Sequence, residues 1–409
     1  MIDINNLVSI RKVKLFYKGQ NQEFDVYRVP ISKLFYNDQN GRIGTFINRY
    51  NSENPANKID SIRAMDIDKY NNIIAEYIKN ANAIATYNKT KESISKRGQQ
   101  INGVILDDGR VLDGNRRFTC LRELYAETGD SEFEYFETII LPYPQNEDAK
   151  KSIKKLEIYL QHGQDEKVDY TPIQRLVDVY NNLIIHNHLL KDLEYQNSAN
   201  LKSHELKKLK GKAEIMADFC HFFNMDEKFY IVDELALDGP IEEVWRFRMK
   251  LESTEKGKVE WQKYKPLLYT IMLSMEVGDL TREIRDVIKS FGKPSFDKLY
   301  NDEYDYLDKV YETAKEIPDG NEKEFIKSIR AERSTTEFRK AVNDHIYEER
   351  REDSKNKPVT MFNDVLNAIN KIDSSQLKYL GEQYTGEIRK IWAGIKIKIE
   401  EIEGKLNDK

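Results

Sequence analysis

The feature that most constrains the fold is a β-hairpin pattern that leads directly into a helix, in INGVILDDGRVLDGNRRFTCLRELYAETG. Two short apolar runs are joined by Asp-Asp-Gly-Arg, which is a strong hairpin signal. The helix that follows carries Phe118, Leu121, Leu124 and Tyr125 on one face, and Gly129 comes just after its end. This segment therefore predicts two strands and a helix in immediate succession.

The neighbouring segments extend this pattern to a mixed region over residues 1–150. KVKLFY, EFDVYRVPISKLF and FEYFETIILPYP are typical of strands, and a helical pattern covers about residues 56–96. After Glu147 the pattern is helical to the C-terminus. We therefore expect an α+β N-terminal domain, 1–150, followed by a large all-α region that divides into helical domains at 151–255 and 256–409.

Composition limits the number of domains, the binding partners and the cellular location that we expect for this chain. A chain of 409 residues exceeds one ordinary core, in agreement with several domains. The net charge of -5 confines any nucleic-acid surface to a local patch. Cys120 and Cys220 are the only cysteines, which excludes a disulfide framework and favours a reducing, cytoplasmic location. No run approaches the ~20 apolar residues of a membrane span, so we expect no membrane partner.

The turn Asp-Gly-Asn-Arg-Arg between the second strand and the helix has the composition of an anion site. The first backbone N–H groups of a helix have no intrahelical partner, and the helix dipole makes that end electropositive. Gly114 would let a ligand approach the backbone, and Arg116 and Arg117 add two guanidinium groups suited to phosphate oxygens. A plain Asp-Gly turn with surface arginines fits the same spacing, so the residues alone leave both interpretations open.

The same stretch, KTKESISKRGQQINGVILDDGRVLDGNRRFTCLREL, resembles the ParB/sulfiredoxin-type domain. Two further stretches agree with that family in order and distance. VPISKLFYNDQNGRIGTF, at 29–46, resembles its N-terminal box with Asn-x-x-Asn-x-Arg, and 156–184 resembles the segment after the core domain. The resemblance covers roughly residues 24–185.

The resemblance implies a site for a nucleoside triphosphate, with CTP favoured, and for Mg²⁺. The residues that it places around the nucleotide are Asn40, Arg42, Gly114, Asn115, Arg116, Arg117 and Gln161. ParB proteins carry Glu-Asn-x-x-Arg where this chain has Glu157, Gln161, His162 and Gln164, so Glu157 becomes the candidate Mg²⁺ ligand.

The family also contains enzymes, and these provide a second set of expectations. Sulfiredoxins have a catalytic cysteine where this chain has Asn115, and Cys120 lies about a turn and a half into the helix. We therefore expect Cys120 to be a buried small residue. Catalysis on the same anion site would need a carboxylate, and the candidates are Asp113, Glu157 and Asp108.

Three functions follow as expectations. The first is a nucleotide-dependent, DNA-associated regulator of a bacterium or mobile element, in which the nucleotide biases the geometry of the helical part. The second is an enzyme, either a phosphotransferase, an NTPase or a nuclease, that acts on the same site. The third is an adaptor that kept the fold and lost the ligand.

A candidate DNA-binding helix-turn-helix lies in HELKKLKGKAEIMADFCHFF, 204–223, with Gly211 as its turn. Its four lysines, Lys207, Lys208, Lys210 and Lys212, form a local basic cluster suited to backbone phosphates. A solvated helical face is the alternative.

His186 and His188 flank an asparagine in the sequence His-Asn-His, which has the letters of the HNH nuclease motif. Two residues at that spacing on a helix do not share a face, which disfavours a nuclease metal site.

The last segment, YTGEIRKIWAGIKIKIEEIEGKL, has apolar residues at three- and four-residue steps. Such a continuous stripe predicts a helix that is buried against another helix, either within the chain or in a homodimer through the helical region. The members of this stripe are Tyr384, Ile388, Ile391, Ile395, Ile399, Ile402 and Leu406.

Overall fold

The structure is a computed structural model that describes residues 1–38, 41–81, 84–162, 171–185, 190–275, 278–318, 320–379 and 381–407. Its chain divides into two compact units, Met1–His345 and Ile346–Lys409. The sequence-based domain limits at residues 150 and 255 both fall inside the first unit, and they stay predictions.

A six-stranded mixed sheet forms the N-terminal region. Its strands are β1 (Ser9–Tyr17), β2 (Gln20–Pro30), β3 (Phe35–Tyr36), β4 (Gly103–Leu106), β5 (Arg110–Asp113) and β6 (Tyr135–Leu141). The spatial order is β1-β2-β6-β4-β5-β3. β4 pairs with β6 and β3 with β5 in parallel, whereas the other neighbours are antiparallel. The predicted hairpin is therefore present as β4–β5.

Helices cover both faces of this sheet. α1 (Gly44–Glu53), α2 (Ile59–Met65), α3 (Ile67–Asn80), α4 (Ile84–Arg97) and α5 (Asn115–Thr128) lie between the strands in sequence. Alternate strand residues point to opposite faces. Val111 and Phe136 share one core with Phe118 of α5, whereas Leu112 and Ile139 share the other core with residues of the next helix. The sheet is thus buried on both sides.

The remainder of the described chain is helical, as the sequence pattern predicts. It comprises α6 (Glu147–His162), α7 (Pro172–Leu183), α8 (Asp192–Ser198), α9 (Ser203–Phe222), α10 (Phe229–Glu234), α11 (Asp238–Leu251), α12 (Glu255–Ser274), α13 (Leu280–Lys289), α14 (Pro294–Asp302), α15 (Tyr304–Lys315), α16 (Glu322–Ala331), α17 (Arg333–Asn370) and α18 (Glu382–Asn407). An α+β N-terminal region followed by a largely helical one is the observed fold class.

The predicted turn of the helix-turn-helix at Gly211 is wrong. α9 runs as one helix from Ser203 to Phe222 and passes through Gly211 without interruption. A Cβ at this position would lie 2.0 Å from Nε1 of Trp245. The glycine is therefore explained by close packing of α9 against α11, and not by a change of chain direction.

None of the helices in the described ranges combines the length and the apolar character that crossing a membrane requires.

Candidate functional site

The predicted anion site lies at one edge of the sheet, where β3 and β5 both end. These strands are parallel, and Tyr36 pairs with Val111. The residues that follow them, Asn37 and the Asp113–Gly114 turn, therefore come to the same edge. α5 begins here at Asn115, directly after the turn. Ligands bind at the carboxyl ends of parallel strands in many α/β sheets, so this edge is a suitable position for a site.

Gly114 is the residue before the first turn of α5, and its backbone is left-handed, with φ 95°. A Cβ at this position would lie 2.8 Å from the Phe136 ring and 3.0 Å from Nη2 of Arg117. The space that the missing side chain leaves is therefore occupied by protein, in contrast to the expected opening for a ligand. Because glycine has no side-chain oxygen, the start of α5 receives no side-chain cap from Gly114.

Arg117 extends back across Gly114. Its Nη2 donates to Oδ2 of Asp113 at 3.0 Å and to the carbonyl oxygen of Asn102 at 3.2 Å. Its Nε is buried and has no hydrogen-bond acceptor among the residues that the structure describes. A buried guanidinium N–H without an acceptor is costly, and an anion or an ordered water would satisfy it.

Asn115 and Arg116 form the rest of the helix start. Asn115 is only 7% exposed, and its Oδ1 is buried with no donor in the described part of the chain. The backbone carbonyl of Asn115 accepts from Thr119, whose Oγ1 is 2.9 Å from the Tyr36 hydroxyl at the end of β3. This contact fixes the first turn of α5 against the strand. Arg116 is half-buried beside Arg117.

Glu157 of α6 reaches the same edge through Asn37. The Nδ2 of Asn37 donates to Oε1 of Glu157 at 2.9 Å, and Nζ of Lys154 lies 3.2 Å from Oε2. Glu157 is 4% exposed and the Lys154 side chain is 18% exposed, so the ion pair joins a buried carboxylate to a half-buried ammonium group. The structure thus brings Glu157 to the end of β3, where the Asn-x-x-Asn-x-Arg motif of the N-terminal box begins.

Lys154 is charged in this arrangement. Burial alone would lower its pKa, but the carboxylates of Glu157 and Asp178 outweigh burial and raise the pKa above its usual value. Both Glu157 oxygens already have a partner, so a Mg²⁺ ion bound there would have to displace Lys154 or Asn37. Mg²⁺ at Glu157 stays a prediction that this geometry does not favour. Within the described ranges, no group of three or more His, Cys, Asp or Glu side chains is arranged to hold a metal.

The remaining candidates have different outcomes. Asn40 lies outside the described residues. Arg42 lies in the 3-10 helix Gly41–Ile43, and its side chain is outside the described part of the structure. Gln161 is one helical turn after Glu157 on α6 and therefore lies on the same face. His162 is at the end of α6 without a described side chain, and Gln164 lies outside the described residues.

Asp108 is wrong as a carboxylate for this site. It lies in the β4–β5 turn, where its Oδ1 accepts from the backbone N–H of Arg110. Its Oδ2 lies 3.6 Å from the Arg110 guanidinium group. β5 separates that turn from Asp113, and at a rise of about 3.3 Å per residue this strand is about 10 Å long. The hairpin therefore directs Asp108 to the opposite end of the strand.

Three residues of this site were missing from the sequence-based set: Asn37, Lys154 and Asn102. Asn37 opens the Asn-x-x-Asn-x-Arg box, so a signal for it was present. Lys154 is three residues before Glu157, a spacing that allows an ion pair on a helix. Asn102 acts through its backbone carbonyl, and side-chain type carries no signal for that role.

Cys120 is buried, as expected, and we predict that it does not react in the native protein. Burial is the largest influence on the Cys120 thiol and raises its pKa to about 11. At pH 8 its thiolate fraction is then about a hundredfold or more below that of a free cysteine. Cys220 is also buried, and burial raises its pKa still further.

A thiol assay with Ellman's reagent measures this directly. We expect no rapid release of chromophore from the native chain and two thiols per chain after denaturation. Fast reaction of the native protein, removed by Cys120→Ala, would contradict the structural role and would revive sulfiredoxin-like chemistry.

The basic cluster on α9 is largely neutralised by neighbouring carboxylates. Lys212 is 5% exposed and lies 2.5 Å from Asp238. Lys208 lies 2.7 Å from Glu242, and Lys210 forms an ion pair with Asp192 on α8. Lys207 is exposed. The cluster therefore serves mainly contacts between helices, and it offers little free charge to DNA phosphates.

His186 and His188 of the HNH sequence lie outside the described residues.

No family model, no curated protein and no solved structure matches this chain.

Proposed function

We propose that this protein binds a nucleoside triphosphate at the start of α5, in a ParB/sulfiredoxin-like N-terminal domain. The observation that carries the proposal is the Arg117 side chain. It lies across Gly114 at the helix start, held by Asp113 and Asn102, with a buried Nε that has no acceptor in the described chain. An anion at the helix start would satisfy this donor.

The electrostatics of the helix start support an anionic ligand. The first turn of α5 contains no acidic residue, so side chains do not neutralise the positive end of the helix dipole. Arg116 and Arg117 add two positive charges, and Asp113 offsets one of them. Guanidinium groups therefore lie at the positive end of the helix dipole although the whole chain is acidic. Phosphate groups fit this combination of backbone and guanidinium donors.

The carboxylates favour binding over catalysis. Asp113 accepts from Arg117, and Glu157 is held by Asn37 and Lys154. A general base needs a carboxylate that can approach the reacting proton. Because both candidates are already engaged with cations, a phosphotransferase, an NTPase or a nuclease is the less supported function.

The preference for CTP over the other nucleotides depends on the family resemblance alone. DNA as a partner also depends on that resemblance. The ion pairs of the α9 lysines remove the main sequence argument for a DNA surface. DNA association and regulation of the helical part by the nucleotide stay predictions that follow from the resemblance.

Titration calorimetry of the full chain with CTP, ATP, GTP and UTP, with and without Mg²⁺, tests the proposal. We expect binding of at least one triphosphate, competition by inorganic tripolyphosphate, and little binding of the matching nucleoside. This pattern would follow if phosphate contacts supply most of the free energy. Absence of triphosphate binding at millimolar concentration would leave Asp-Gly-Asn-Arg-Arg as a structural turn.

The variant Asp113→Asn separates a binding protein from an enzyme. It removes the carboxylate charge and keeps an oxygen that can accept from Arg117, so we expect triphosphate binding to persist. Phosphate release is measured on the same samples. Turnover by the wild type that disappears in Asp113→Asn, with binding retained, would favour the enzyme.

A further inference from the structure

The apolar stripe of α18, named the α18 stripe from here on, is exposed or half-buried along its length. In the range 347–407, no described residue is buried. Tyr384, Ile391 and Leu406 are 60, 57 and 62% exposed, while Ile395 and Ile402 are half-buried. An exposed apolar stripe of this length marks an interaction surface. The described helices of the second unit, Ile346–Lys409, therefore do not bury the stripe.

The stripe has a symmetry that a second copy can use. Its seven members lie symmetrically about Ile395, at four, seven and eleven residues on each side. At about 100° per residue, all seven lie within about 40° of the direction of Ile395. The stripe is therefore straight, and two antiparallel copies centred on Ile395 would place an apolar side chain opposite an apolar side chain at every level.

Two pairs of opposite charges beside the stripe fit the same arrangement. In the antiparallel pair, Arg389 of one copy lies on the same side of the interface as Glu403 of the other, about 3 Å apart along the helix axis. Glu387 and Lys405 form a second such pair, and the twofold symmetry repeats both. Among the described residues, Arg389 and Glu403 have no ion-pair partner within the chain. Opposite charges at these flanking positions select the partner and its orientation.

The centre of the stripe decides between the two orientations. A parallel pair in register would also bring opposite charges together at its ends. However, it would place Lys396 of one copy on the same side of the interface as Lys398 of the other, about 3 Å apart along the helix axis. The twofold symmetry repeats this contact between like charges. The antiparallel pair instead places Lys396 beside Trp392 of the second copy, where a cation–π contact is favourable. Trp392 is 45% exposed in the single chain.

We propose that α18 binds α18 of a second copy of this chain as an antiparallel helix pair centred on Ile395. Sedimentation analysis of the full chain should show a dimer at micromolar concentrations. Ile395→Asp places two carboxylates at the centre of the apolar contact and should raise the dimer dissociation constant at least about a hundredfold.

Ile397→Asp is the matched control, because Ile397 is 68% exposed and lies on the opposite face of the same helix. This variant should remain a dimer. A monomeric wild type, or equal loss of the dimer in both variants, would overturn the proposal. Thermal unfolding shows whether each variant folds.

A charge swap tests the orientation. Arg389→Glu and Glu403→Arg should each weaken the dimer about three- to tenfold, and the double variant should restore it. In a parallel pair, Arg389 would face Glu387 and Glu403 would face Lys405, so the double variant would be weaker than either single variant. That result would overturn the antiparallel arrangement.

Disulfide cross-linking gives a readout that does not depend on the stability of these variants. The native Cys120 and Cys220 are buried, so oxidation reports on introduced cysteines. Tyr384→Cys chains mixed with Leu406→Cys chains should form a mixed disulfide dimer, and neither should cross-link alone, since like positions are about 33 Å apart. Cross-linking of each variant with itself, or no cross-linking at all, would contradict the proposal.

Discussion

Arg117→Ala should weaken triphosphate binding about ten- to a hundredfold and leave the fold intact. A hydrogen bond to a charged group contributes about 1.5–3 kcal/mol, and 1.4 kcal/mol corresponds to tenfold in affinity. The ion pair that the variant loses, with Asp113, is partly exposed, so its loss should cost about 0.2–1 kcal/mol of stability. Calorimetry and thermal unfolding of the same preparation separate the two effects.

Arg116→Ala and Arg117→Lys are the controls for this result. Arg116 is one residue earlier on α5, so its side chain points about 100° away from that of Arg117 and should contribute less to binding. Lysine keeps the charge of Arg117 but lacks the planar fork that holds Asp113 and a ligand at once, so its affinity should be intermediate. Equal affinity of wild type and Arg117→Ala would remove Arg117 from the site.

The order of elements in the N-terminal region was predictable from local patterns. The hairpin and the helix after it are marked by Asp-Asp-Gly-Arg, Asp-Gly and the terminal Gly129, and all three elements are present. The helical character after Glu147 was also predictable, because apolar spacing alone decides it. These features depend on neighbouring residues, which a single sequence contains.

The contacts of the site were less predictable, because they join distant segments. Asn37 and Glu157 are 120 residues apart and meet through the sheet edge and α6. The sequence suggested Glu157 as a metal ligand, and only the fold brings it to Asn37 and pairs it with Lys154. Likewise, Gly211 has the composition of a turn, and its actual cause is the Trp245 ring on another helix.

The opposite outcome holds for α18. Its periodic stripe predicted a helix correctly, and the structure contains that helix. Burial of the stripe could not be assigned to a partner from spacing, because periodicity describes one helix and not the surface that covers it. The stripe residues are exposed or half-buried in the structure, and their burial against another helix stays a prediction.

Gly114→Ala should destabilise the protein far more than Gly129→Ala, although both glycines have left-handed backbones and lie at the two ends of α5. At Gly129 an added Cβ would meet nothing within 4 Å, so alanine should cost only the backbone strain of about 1–2 kcal/mol. At Gly114 the Cβ would also meet Phe136 at 2.8 Å and Arg117 at 3.0 Å. Overpacking of a buried ring adds about 1–3 kcal/mol.

The difference between the two alanine variants therefore isolates the close packing at the site, and urea and thermal unfolding measure it. Adding Phe136→Leu should recover part of the loss at Gly114 and none at Gly129, because the shorter side chain makes room for the Cβ. If Gly114 served only the approach of a ligand, Gly114→Ala would be as stable as Gly129→Ala and would lose only nucleotide affinity. Equal stability of the two variants would thus contradict the packing and return Gly114 to a purely ligand-binding role.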